Sequence, residues 1–155
     1  MKQRKTLDTK LIMSFKPCSE WPESRVKEAV PKRIAVTEFL RDKRITPADR
    51  LWVALHDELA SDRIMRIFSC DCADRALRRE RRKGRTVDPR SLEAVKVARR
   101  HADGDATDEE LEAAWEAARE AAWSAAWSAA CEAAERREIT WQCKRLAELL
   151  EANNG

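Results

Sequence analysis

Tyrosine is absent, histidine occurs twice (His56, His101), and only three glycines are present (Gly84, Gly104, Gly155). Each shortage excludes something. With two histidines there is little support for a triad, and neither a nucleophile elbow, a zinc-protease helix motif nor a phosphate-cradling glycine loop occurs. The paired carboxylates are acids such as Glu109–Glu110 on a helix surface, where solvent gives no reason for a shifted pKa. Catalysis is therefore not expected. No apolar run approaches membrane-spanning length, and the N-terminal MKQRKTLDTK has no apolar signal core. The five cysteines form an odd set, which points to reduced thiols and a soluble cytoplasmic protein. The net charge is only +3, so the chain as a whole is neither a DNA mimic nor strongly basic.

What is abundant is alanine, arginine, glutamate and leucine, an all-α composition. A length of 155 residues implies one domain with a real core. The organising stretch is LEAAWEAAREAAWSAAWSAACEAAE, Leu111 to Glu135. Alanine pairs recur there every fourth residue, and Trp115, Trp123, Trp127 and Cys131 each follow a pair. Alanine loses no side-chain entropy in a helix, so the stretch is read as helix. A four-residue period overshoots the helical turn by roughly 40° per repeat. The stripe therefore spirals, and a partner following it must wrap. The ordinary reading of the stripe is the core helix of a helical domain, favoured here; the functional one is a ligand-binding aromatic stripe.

Other helix boundaries are written in local chemistry. Asp8 caps a first helix facing Leu11, Ile12 and Phe15 inward, and Pro17 ends it. Ser19 is expected to cap a second, burying Trp21, Val26, Ala29 and Val30 before Pro31. A short turn over 37–42 directs Phe39 and Leu40 inward. Thr46-Pro47-Ala48-Asp49 is a helix start, followed by Leu51, Trp52, Leu55 and Leu59. Ser61 or Asp62 opens a helix with Ile64, Phe68, Cys72 and Ala76 in one stripe, ending near Gly84. Asp88-Pro89 opens another, with Leu92, Val95, Val97 and Ala98 inward and Gly104 at its end. Thr107 and Glu110 form a capping box before the Ala/Trp helix. Ile139, Cys143, Leu146 and Leu150 continue its spacing. The expectation is thus a short-helix region over 1–105 and a long C-terminal helix over 106–155. Continuous, that helix would be ~65 Å long against a radius of gyration of ~15 Å for a compact chain of this size. It therefore projects or bends, and Ile139 and Thr140 make 136–140 the place for a bend.

Charge is segregated. Arg75, Arg78, Arg79, Arg81, Arg82, Lys83 and Arg85 form a basic block, and Asp103 through Glu120 an acidic one. These are solvated faces or a bipolar docking surface. The basic block is the second functional reading: phosphate contact with nucleic acid, with little sequence preference, since no aromatic lies among its arginines. Cys70-Asp71-Cys72 cannot share a metal on a helix, because residues two apart point about 200° apart. Buried structural thiols are expected, with no metal or cofactor.

PCSEW (17–21), TPADRLW (46–52), RIFSCDCADRAL (66–77), DPRSLEAVKVARRHADGDAT (88–107), the Ala/Trp repeat and WQCKRLAELL (141–150) together resemble the immunity proteins of bacterial polymorphic toxin systems, a family also found in phage and prophage genomes. The resemblance implies an all-helical, non-enzymatic protein that binds and occludes a protein target, either a toxin or, for a phage-encoded anti-CRISPR, a host defence effector. Arg78–Arg85 and Trp115, Trp123 and Trp127 are the partner-binding candidates. A homodimer through the long helix is compatible with this, because small-residue stripes pack well against their own copies.

Overall fold

In the computed structural model residues 5–125 and 132–153 are described, with side chains for 5–117 and 136–153. The described chain is all-α apart from one two-residue strand pair. It divides into two compact units: Met1–Asp62 with Glu132–Gly155, and Arg63–Cys131.

The first unit begins with β1 (Thr6–Leu7) and α1 (Thr9–Ser14), followed by α2 (Glu23–Ala29) and β2 (Ile34–Ala35). The two strands pair antiparallel, Thr6 opposite Ala35 and Leu7 opposite Ile34. Asp8 caps α1 as expected, accepting from the Leu11 amide at 3.0 Å. The helix stops before Pro17 because Lys16 turns left-handed at φ 56°; a residue ahead of proline is disfavoured in the helical region. α2 begins at Glu23, not at Ser19, with Pro22 as its cap. Proline's fixed φ suits an entry into helix, and Trp21 is left outside, its ring under the Arg25 guanidinium at 4.2 Å. Val26 and Val30 are buried, and the Thr9 hydroxyl donates to the Val30 carbonyl at 2.9 Å.

α3 (Val36–Arg41), α4 (Pro47–Ala54) and α8 (Glu132–Ala152) complete that unit, with α8 packed on α3 and α4. Phe39, Leu40, Leu59 and Leu146 are almost wholly buried in this core. Thr46 caps α4 through the Asp49 amide at 3.2 Å. The helix ends at Ala54, so Leu55 and Leu59 fall in the following turn, although their spacing is helical. There the His56 ring lies 3.9 Å from Phe15, stacked at 13°. Its Nδ1 donates back to the Trp52 carbonyl at 2.9 Å, closing the helix end. Two links fix α8. The Cys143 thiol donates to the Pro47 carbonyl at 3.3 Å, and the Arg41 guanidinium grips Glu151, one bond being 2.9 Å. Ile139 is half-buried and Cys143, Leu146 and Leu150 are buried, matching their spacing. α8 stays helical through 136–140. Whether α7 and α8 are one helix turns on 126–131, which lie outside the described residues.

The second unit is a three-helix assembly of α5 (Asp62–Arg82), α6 (Pro89–Asp103) and α7 (Asp108–Ala125). Arg63 at the start of α5 meets Asp103 at the end of α6 at 2.8 Å, and Arg99 reaches Asp71 and Asp74 at 2.8 and 2.6 Å. These pairings run α6 antiparallel to α5. α7 returns antiparallel along α6, with Val97 and Ala98 against Leu111. Asp88 caps α6 through the Arg90 amide at 2.8 Å. Gly104 ends it at φ 83°, and the Asp105 amide reaches back to the Arg100 carbonyl at 2.7 Å; this left-handed stop is one that glycine permits. The Thr107–Glu110 capping box forms in both directions, at 3.2 and 2.8 Å.

The small core of this unit corrects the expected stripe. Cys70 is buried with Val97, Ala98 and Leu111, whereas Cys72 and Ala76 are half-buried. On α6, Ala94 is buried while Leu92 and Val95 are partly exposed. The reason is that α6 and α7 cover the Cys70 side of α5. A single-helix stripe cannot reveal which of its flanks a third helix will cover.

Candidate functional site

Over its first turns α7 passes from a packed side to an exposed edge. Leu111 is 6% exposed and points into the core of the second unit, with Ala114 partly buried beside it. Trp115, one turn on from Leu111, is 55% exposed. Glu112, Ala113, Glu116 and Ala117 are exposed around it. The indole is thus on a surface that it can present to another molecule. The side chain of Trp123 and the whole of Trp127 lie outside the described residues. Among the described residues Trp52, in the first unit, is also left exposed, at 43%. Its indole meets His56 edge-on, with ring centres 4.9 Å apart.

The basic block occupies the last turns of α5 and the loop after it. Arg78, Arg81, Arg82, Lys83 and Arg85 are exposed, while Arg79 is half-buried. Within the block Glu80 engages both Arg85, through a charge-assisted hydrogen bond, and Lys83 at 3.8 Å. The Arg85 hydrogen bond holds the Glu80 carboxyl below the usual carboxylate range. Cations at this end complement the negative end of the helix dipole. That is a structural reason for their presence, and the same dipole weakens their attraction for a phosphate.

The acidic block lies at the opposite end, around the α6–α7 turn. At that turn Asp103 pairs with Arg63, Asp108 meets His101 at 2.6 Å, and Glu110 pairs with Arg100 at 3.5 Å. Its ion-pair partners named here come from α5's first turn and from α6, not from residues 78–85. Asp108, Glu109 and Glu110 fill the first turn of α7, where the dipole favours anions. Glu109 is held below its usual range by its own backbone amide and by Thr107.

The thiols are placed for packing. Burial pushes both Cys70 and Cys143 up from the ordinary thiol value, so they are poor nucleophiles at neutral pH. Cys70 donates to the Val95 carbonyl at 3.8 Å, tying α5 to α6. Cys18 is exposed and Cys72 half-buried. Among the described residues no cluster of three or more metal-ligating side chains gathers. Among them, too, no helix is long and apolar enough to cross a membrane.

Arg99 is the most constrained charge of the unit. Burial disfavours its cation, but the carboxylates of Asp71 and Asp74 outweigh that and hold its pKa above the ordinary guanidinium value. This triad clamps α6 to α5 and fixes where α7 must lie.

Compared with family models, curated proteins and solved structures, the chain finds no match.

Proposed function

We propose that this chain is a non-enzymatic, protein-binding inhibitor: an immunity protein neutralising a toxin, or a phage-encoded counter-defence protein such as an anti-CRISPR. It acts by laying a preformed helical surface over a functional face of its target. The observation that carries the reading is the exposed indole of Trp115, one turn on from Leu111 and at the edge of the face that α7 locks into a core. An exposed tryptophan is the residue type that most often anchors a protein interface. A rigid three-helix support lets it bind without ordering cost. The sequence resemblance to immunity proteins adds the class of target.

The test is co-purification of the tagged protein from a bacterial host, with and without nuclease, using wild type and Trp115→Ala. A stoichiometric protein that survives nuclease, is lost in the variant, and has its activity blocked by wild type supports the reading. Binding that vanishes with nuclease would replace it with the second one.

That second reading is phosphate contact by the exposed arginines of the α5 end. It is favoured by five exposed cations within eight residues, Arg78 to Arg85. It is opposed by the helix dipole and by Glu80 among them. Charge reversal at Arg79 and Arg82 would abolish such binding, and a failure to shift DNA or RNA at low salt would dismiss it.

A further inference from the structure

The second unit carries opposite charge at its two ends. Arg78, Arg81 and Arg82 stand at the C-terminal end of α5, and Asp105 and Glu112 at the α6–α7 turn and the α7 start. The Arg63–Asp103 pair places that turn beside the first residues of α5. Arg63 and Arg82 are separated along α5 by ~28 Å at 1.5 Å per residue. The antiparallel packing of the three helices thus holds the two ends apart.

The ends also differ from the rest of the unit in how their charges are met. Asp103 and Glu110 have arginine partners and Asp108 meets His101 at their own end, and Glu80 engages Lys83 and Arg85 at the other. Asp105 and Glu112, and likewise Arg78, Arg81 and Arg82, engage no ion-pair partner among the described residues. Among the described residues, then, Asp105 and Glu112 at one end and Arg78, Arg81 and Arg82 at the other present unpaired charge to solvent.

A rod with opposite charges at its ends is self-complementary about a two-fold axis. Laid antiparallel, two copies bring the basic end of each onto the acidic end of the other, so that one contact occurs twice. The near-cancelling net charge of +3 imposes little overall repulsion between copies.

We propose that the chain pairs with a second copy of itself, antiparallel, through these two ends of the Arg63–Cys131 unit. The contact is isologous, with Arg81 and Arg82 of one copy facing Asp105 and Glu112 of the other. This goes beyond the inhibitor reading, since a chain without its target still pairs, and it is tested with the purified protein alone.

The experiment is sedimentation of the full chain in 50 and 500 mM salt, for wild type and two charge-reversed variants. Wild type is expected to dimerise in low salt and to lose at least tenfold in association in high salt, because screening acts over a few ångströms there. Arg81→Glu/Arg82→Glu and Asp105→Lys/Glu112→Lys are each expected to be monomeric. Mixed one to one, they are expected to form a heterodimer of the wild-type dimer's mass, because both contacts are attractive again. Circular dichroism confirms that each variant is folded. A wild type that stays monomeric at low salt and high concentration overturns the proposal. So does a dimer that survives both reversals, or a mixture that fails to pair.

Discussion

Leu111 and Trp115 are one helical turn apart, and truncating each should have opposite consequences. Leu111 is 6% exposed and packs with Cys70, Val97 and Ala98. Burying a leucine is worth about 1.5–3 kcal/mol by transfer alone. A cavity term adds to it, because those neighbours are short or branched and cannot reach into the space. Leu111→Ala should therefore cost ~3 kcal/mol, within the ~2.7–5 seen for buried leucines. Trp115 is 55% exposed, so Trp115→Ala removes little packing. Alanine's better helix propensity offsets part of what is lost, and the net change should be within ~0.5 kcal/mol. Urea unfolding followed by circular dichroism at 222 nm reads both. With a slope of about 1–3 kcal/mol per molar, the Leu111→Ala midpoint should fall by ~1–3 M while that of Trp115→Ala scarcely moves. Target affinity should behave the other way, with Trp115→Ala losing ~2 kcal/mol, about thirtyfold. If Trp115→Ala destabilises as much as Leu111→Ala, the indole is part of the core. The argument for a docking anchor then fails.

Three other outcomes follow from the geometry. Gly104→Ala forces a side chain into a left-handed turn at φ 83° with open space around it, so the cost is backbone strain alone, ~1–2 kcal/mol in the urea midpoint; a neutral result would mean the α6 stop is not left-handed in solution. In the native protein a thiol reagent should modify Cys18 at the rate of a free thiol, and Cys70 and Cys143 only as fast as the chain opens. Rapid native labelling of Cys143 would contradict its burial on α4. Arg44 holds the Asp42 carboxyl, and Arg41 that of Glu151, below the usual range. The unfolded chain therefore takes up protons first as pH falls. Their contribution is present above the unfolded carboxylate values near ~4 and is lost as pH drops through the native ones. Urea midpoints from pH 6 to 3 should decline, less steeply in Arg41→Ala; an unchanged slope would remove Glu151 from the account.

Much of the molecule was legible in short-range chemistry. Asp8, Thr46, Asp88 and the Thr107–Glu110 box each satisfy amides within three residues of themselves, and Gly104 ends a helix by a bond to its own last turn. Such devices act within one helical turn, so they can be read without knowing what the helix packs against. The segregation of charge was visible for the same reason: it is a property of order along the chain.

What the tertiary structure decided is everything that depends on a distant neighbour. The β1–β2 pair joins residues 27 and 29 apart, through strands too short to show alternation. Pro22, not Ser19, opens α2, because the chain turns at 18–21 and leaves Trp21 outside the helix. Cys70 is buried in place of Cys72 because α6 and α7 cover one flank of α5, and the Arg99 clamp on Asp71 and Asp74 sets which flank. Trp115 belongs to the same group. Spacing placed it among the alanines, but whether an indole lies inward or faces solvent is fixed by the helix packed beneath Leu111. Local sequence determines where a helix begins and ends. Which of its faces is left for a partner is settled by burial between segments far apart in the chain.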